Sequence, residues 1–156
     1  MAAEYMSSEC RRLAGVLLIL LPTVVVGGVS ILTMINDPAY TGNELRQDLW
    51  RAGHAHAGVL LILALVTLRY VDDTRLARRP KWFAMHAIPA AAVLLPAAFF
   101  LSVTSADATE PNALISLAYV GAGLLVAGLV TLGVGLVRHP PEGASEVEAE
   151  ASVGPR

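Results

Sequence analysis

Trp50-Arg51-Ala52-Gly53-His54-Ala55-His56-Ala57-Gly58 is where this chain carries ionisable, coordinating side chains into a long hydrophobic run. The run goes on through Val59-Leu60-Leu61-Ile62-Leu63 and reaches Val71. Over residues 49–71 a helix rising 1.5 Å per residue crosses a hydrocarbon core ~30 Å thick. Both imidazoles then lie inside a membrane span, a turn or two from its mouth. Polar groups in a bilayer cost free energy and mark a pathway, a ligand or a cofactor.

The rest of the chain agrees with a membrane setting. Of its 156 residues 55% are hydrophobic, and the mean hydropathy is +0.60. These values lie far outside those of soluble domains. The formal net charge is −2, and no basic stripe or recognition motif points to nucleic acid. The single cysteine, Cys10, excludes an internal disulfide, and no CxxC zinc spacing is present. No small-residue cleavage site follows the first apolar run, which reads as a retained helix.

Four spans are expected, over residues 13–35, 49–71, 82–103 and 113–137, making an all-α integral membrane four-helix bundle. Pro22 and Gly27-Gly28 are expected to bend or thin the first span, and Pro89 and Pro96 to kink the third. Asn36-Asp37-Pro38 stops the first, with Tyr40 at the interface. His139-Pro140-Pro141 stops the fourth. Residues 1–12 read as an N-terminal tail and residues 139–156 as a disordered, Glu- and Ala-rich one.

Basic residues set the expected orientation. Arg11, Arg12, Arg69, Arg75, Arg78, Arg79, Lys81 and Arg138 fall on one side of the four spans, and Arg46 and Arg51 on the other. The positive-inside rule puts both termini in the cytoplasm of a multi-pass cell-membrane protein. His54 and His56 then lie near the outer face. Gly123, Ala127, Thr131 and Gly135 repeat small residues every four positions in the fourth span. That spacing suits a seam between subunits or packing within one bundle. So small a bundle has little interior, and a homo-oligomer is expected.

Residues two apart on a helix point about 200° from each other. His54 and His56 therefore do not grip one ion, which needs a spacing of three or four. They serve two different neighbours, as on a helix shared between two pockets. Gly53 and Gly58, with the alanines between them, strip bulk from the helix around both rings. A wide, flat group such as an iron porphyrin suits that surface, since its iron takes axial imidazoles and its ring apolar walls. Arg51, with Arg46, stands where propionates need cations, and Trp50 stands at the same rim. Other readings are a copper or zinc ion between subunits, a proton path, or hydrogen bonds to carbonyls of neighbouring helices.

His86 falls near the opposite face and reads as an interfacial histidine beside Lys81 and Trp82, with a second haem or metal near that face as the alternative, while His139 follows the last span in solvent. Tyr119 is a candidate hydrogen-bonding partner for a cofactor or pocket group. Asp37, Glu44, Asp48, Asp107 and Glu110 make the outer loops acidic, suiting solvation or a basic redox partner.

Gly53-His54-Ala55-His56-Ala57-Gly58 resembles the Gly-His-x-His-x-Gly run on the tenth helix of the catalytic subunit of haem–copper oxygen reductases. In that family the two histidines ligate two different haems from opposite faces of one helix. The twelve-helix subunit is organised as three four-helix arcs, with this motif on the second helix of its arc. Here too the motif is on the second of four spans. The resemblance implies one arc of a pseudo-threefold, oxidase-like arrangement, so that three copies close into a ring. Each interface would receive His54 from one protomer and His56 from the next, binding one low-spin bis-histidine b-type haem for electron transfer. The match covers about six residues together with helix count and order. The family's copper-site histidines have no counterpart, and Phe99-Phe100-Leu101-Ser102 stands where a pair of them belongs. Reduction of oxygen or nitric oxide is therefore not expected. A gas-binding or reducing haem/copper enzyme, and a metal- or proton-handling accessory subunit of a respiratory complex, are the competing classes.

Overall fold

The computed structural model describes residues 6–138 and is all-helical over that range. Helix α1 spans Ser8–Met34, the single-turn α2 Pro38–Thr41, α3 Glu44–Val71, α4 Arg78–Ser102 and α5 Ser116–Arg138. A 3₁₀ turn, Ala113–Ile115, leads into α5. Four helices are long and apolar enough to cross a membrane: Ser8–Met34, Glu44–Val71, Arg78–Ser102 and Ala113–Arg138. The four long apolar helices expected from the sequence are therefore present.

The starts of α1 and α3 follow from capping chemistry rather than from hydropathy. The Ser7 hydroxyl accepts the Cys10 N–H, so α1 starts five residues before the apolar run at Leu13. The Asn43 carboxamide oxygen caps α3 through the Arg46 N–H at 3.0 Å, placing that start at Glu44 instead of residue 49. Its amide nitrogen donates to the carbonyls of Ala106 and Ala108, tying α3 to the loop after α4. Helix α1 is continuous through Pro22 and Gly27-Gly28. Residues 1–5 and 139–156, with His139 and the C-terminal tail, lie outside the described residues.

The long helices pack as a row in the order α1, α3, α4, α5, each chiefly against the next. Helix α4 lies deepest, burying Ala84, Ala87, Ile88, Ala91, Ala92, Leu95 and Ala98. Its alanines let α3 and α5 approach from either side, and Leu60, Leu61, Ala64 and Leu68 of α3 fill the shared core. Helix α1 contributes only Cys10 and Leu17 as buried residues and leaves Ile19, Val25, Val26 and Leu32 exposed. In lipid those valines and leucines need no cover, because hydrocarbon tails are as apolar as they are.

Glycines of α5 seat it on α4. A Cβ at Gly121 would lie 3.0 Å from Leu95, one at Gly128 2.8 Å from Ile88, and one at Gly135 2.7 Å from Leu76. The packing stripe thus recurs every seven residues. Of the four-residue series read from sequence, Gly135 belongs to this stripe, whereas Gly123 and Ala127 are exposed. At the end where α1 begins and α3 stops, Asp72 joins three helix ends. It accepts the Ser7 N–H at 2.8 Å and pairs with Lys81 at 3.1 Å.

Candidate functional site

Helix α3 sends its two histidines to different surroundings. His54 turns toward α1, where Gly27 and Gly28 leave a notch for the ring. A Cβ at Gly28 would lie 3.0 Å from its Cε1 and 3.1 Å from its Nε2. The ring also lines a groove of about 270 Å³ bounded by α1, α3 and α4. Leu20, Val24, Leu61, Ala92, Pro96 and Phe100 are among its apolar walls; Thr23 and His54 are the polar residues there. The Thr23 hydroxyl is committed to the Leu20 carbonyl at 2.7 Å. Thr23 keeps only acceptor capacity, so His54 is the side chain among the described lining residues that carries ring nitrogens able to donate or to coordinate.

His56 is exposed on the other side of α3, with Phe99 at a ring-centroid distance of 5.2 Å. Its Nδ1 lies 2.7 Å from the Ala52 carbonyl. A carbonyl oxygen only accepts, so Nδ1 carries the proton, and in the neutral ring Nε2 keeps its lone pair. This backbone tether is the arrangement that orients a histidine for ligation through Nε2. The opposed directions expected from the two-residue spacing are therefore present. Among the described residues no group of three or more His, Cys, Asp or Glu side chains is placed to hold a metal ion.

Bulk around the rings is low for separate reasons. Gly53 is buried, and a Cβ there would touch Phe100 at 3.1 Å, so it is a packing glycine between α3 and α4. Gly58 faces Val24 of α1, with room for ordinary contact at 3.7 Å. Arg51 is exposed and donates to Gln47 Oε1 one turn back, at 3.1 Å.

Above the groove lies a polar cluster that the sequence only partly disclosed. Trp50 meets the edge of Phe100 at 6.0 Å and the Tyr40 ring at 6.2 Å, and the Arg46 guanidinium stands 4.9 Å from its ring centroid. Cation–π attraction and an Nη1 contact to the Ala39 carbonyl (3.5 Å) hold that guanidinium. Tyr40 is 1% exposed, sealed under α3 by the α2 turn. The Tyr40 hydroxyl, Arg46 Nε and Trp50 Nε1 are all buried without a protein partner among the described residues. Leaving a buried donor unpaired costs about 1–3 kcal/mol, so these three atoms are hydrogen-bonding capacity that the described residues leave unused. Asn43-x-x-Arg46 and Asp37-Pro38, the caps that fix this corner, were the available signal in the sequence.

The remaining candidates lie elsewhere. His86 donates from Nδ1 to the Trp82 carbonyl at 2.9 Å and stacks on the Trp82 ring at 4.4 Å, at the end where α1 begins and α3 stops. Tyr119 is 79% exposed on α5 and faces away from the groove. Asp107 lies in the loop after α4, where the Ser105 hydroxyl bond holds its carboxyl below the usual range. No protein-family profile, curated protein or solved structure matches this chain.

Proposed function

We propose that this chain is a membrane haem protein of a homo-oligomer, most simply a ring of three. One low-spin b-type haem is held at each interface by His54 of one protomer and His56 of the next. The observation that carries this reading is the opposed placement of the two imidazoles on α3, one in an apolar groove and one exposed with its Nδ1 tied back. The residues suit the group. A tethered imidazole offers Nε2, the groove offers apolar walls, and Trp50 with Arg46 and Arg51 supplies donors at the α2 end for acidic substituents. A bound haem supplies one-electron chemistry; the chain's part is to orient two ligands, exclude water and compensate charge. With two histidine ligands the iron keeps no open position, so electron transfer is the use proposed, with a redox partner at the acidic α2 end.

The open row of four helices supports an arc-like protomer that needs a neighbour to complete its pocket. The balance of basic residues supports termini in the cytoplasm and the haem near the outer leaflet. The test is the absorption spectrum of detergent-purified protein, oxidised and dithionite-reduced. A bis-histidine spectrum is expected, lost in both His54→Ala and His56→Ala. A colourless preparation from haem-replete cells, or an unchanged spectrum in either variant, rejects the proposal. Carbon monoxide altering the reduced spectrum would instead establish an open iron and the gas-binding class.

A further inference from the structure

We propose that Tyr40, Arg46 and Trp50 form a receptor for a carboxylate, the head group of an amphiphile whose apolar body occupies the groove beside His54. The Tyr40 hydroxyl, Arg46 Nε and Trp50 Nε1 belong to one aromatic cluster, and none of these three atoms has a protein acceptor among the described residues. The Tyr40 side chain is almost wholly buried, so its hydroxyl has no route to bulk water. Arg46 brings a cation with no carboxylate at ion-pair distance among the described residues, although Asp37, Glu44 and Asp48 are close in sequence. Its guanidinium carbon stands 4.9 Å from the Trp50 ring centroid and Nη1 meets the Ala39 carbonyl, while Nε, on an edge that pairs with carboxylates, has no protein acceptor among the described residues. A carboxylate has two oxygens, each able to accept more than one hydrogen bond, and its charge matches the Arg46 cation as a neutral water does not.

Position along α3 connects head and body. Arg46, Trp50 and His54 recur every four residues on one stripe, so Arg46 and His54 are about 12 Å apart along the axis. Phe100 bridges them, touching Trp50 on one side and lining the groove on the other. A fatty acid and a porphyrin propionate present the same head-group chemistry. The receptor therefore stands independently of the haem proposal and overlaps it only where the amphiphile is haem.

The experiment uses the full chain in non-ionic detergent, with Trp82→Phe leaving Trp50 as the sole tryptophan, excited at a wavelength that tyrosine does not absorb. Laurate is compared with dodecanol, and hemin with hemin dimethyl ester, by saturable change in Trp50 emission. The acid of at least one pair is expected to bind about tenfold more tightly than its neutral counterpart, the scale of one charged hydrogen bond. Arg46→Gln should bring acid and neutral probe close to parity. Tyr40→Phe, which removes only the hydroxyl, should narrow the gap while leaving neutral binding unchanged. An Arg46-dependent preference for laurate without hemin binding upholds the receptor and removes the haem reading. Equal binding of hemin and its diester, with a bis-histidine spectrum and no laurate preference, upholds the haem and overturns the receptor. If no acid is preferred, or no probe alters Trp50 emission, the receptor is likewise overturned.

Discussion

At Gly28 one added methyl group decides where an imidazole sits. A Cβ there would be 3.0 Å from His54 Cε1, closer than nearly all real contacts, and a branched side chain has no room at all. Gly28→Val is therefore expected to push the His54 ring out of its notch and to lower haem content severalfold, read from the reduced absorption spectrum. Gly15→Val, on the same helix with nothing within 4 Å of its Cβ position, should leave that spectrum unchanged. Equal spectra for both variants would show that the notch does not position His54. The sequence disclosed the opposed histidines, because a spacing of two is enough to separate them on any helix. It did not disclose their neighbours: Gly27-Gly28 reads equally well as a bend or as the wall facing a ring 26 residues downstream. The same limit hid the Tyr40 hydroxyl, since interfacial tyrosines and buried ones share one local pattern.

Within the helices, small residues are easy to find and hard to assign. Hydropathy located all four long helices, but α1 and α3 start ahead of their apolar runs because polar caps at Ser7 and Asn43 extend them. On α5 nearly every face offers a glycine or alanine, so a four-residue series and the seven-residue series actually in contact are indistinguishable without the partner helix. Gly128→Val must displace Ile88 from 2.8 Å and is expected to destabilise by about 1–3 kcal/mol, as overpacking does. Gly123→Val meets nothing and should be neutral within error in the same thermal unfolding series. Asp72 binds the ends of α1, α3 and α4 together by charge. Burial alone would raise its pKa, but the Ser7 N–H and Lys81 outweigh burial and hold its carboxyl below the ordinary value of 3.8. A depressed carboxylate stabilises the fold above its unfolded pKa, and that contribution fades as pH falls through the folded one. Asp72→Asn should thus cost about 1–2 kcal/mol at pH 7, and the gap to wild type should close in strong acid. A gap unchanged with pH would assign the loss to packing instead of charge.

For the whole molecule, a row of four helices leaves each end helix half unpartnered, and the two imidazoles on α3 face opposite ways along it. No one copy can bring both to a single iron, so the proposed haem exists only between copies. That geometry has a consequence that separate variants cannot supply. His54→Ala and His56→Ala chains should each lack bis-histidine haem when expressed alone. Co-expressed in equal amount, they should recover it wherever an intact His54 meets an intact His56 across an interface. With random mixing in a closed ring, about a quarter of the interfaces qualify, and about that fraction of the wild-type haem signal is expected. A site built within one chain would give no recovery, because every chain lacks one ligand. A face-to-face dimer that pairs His54 with His54 would instead retain signal in His56→Ala alone. The mixture therefore reads whether unlike histidines of different chains share the iron. A two-fold pair with reciprocal His54–His56 contacts gives the same quarter, and the mass of the detergent-solubilised oligomer separates that dimer from a ring of three.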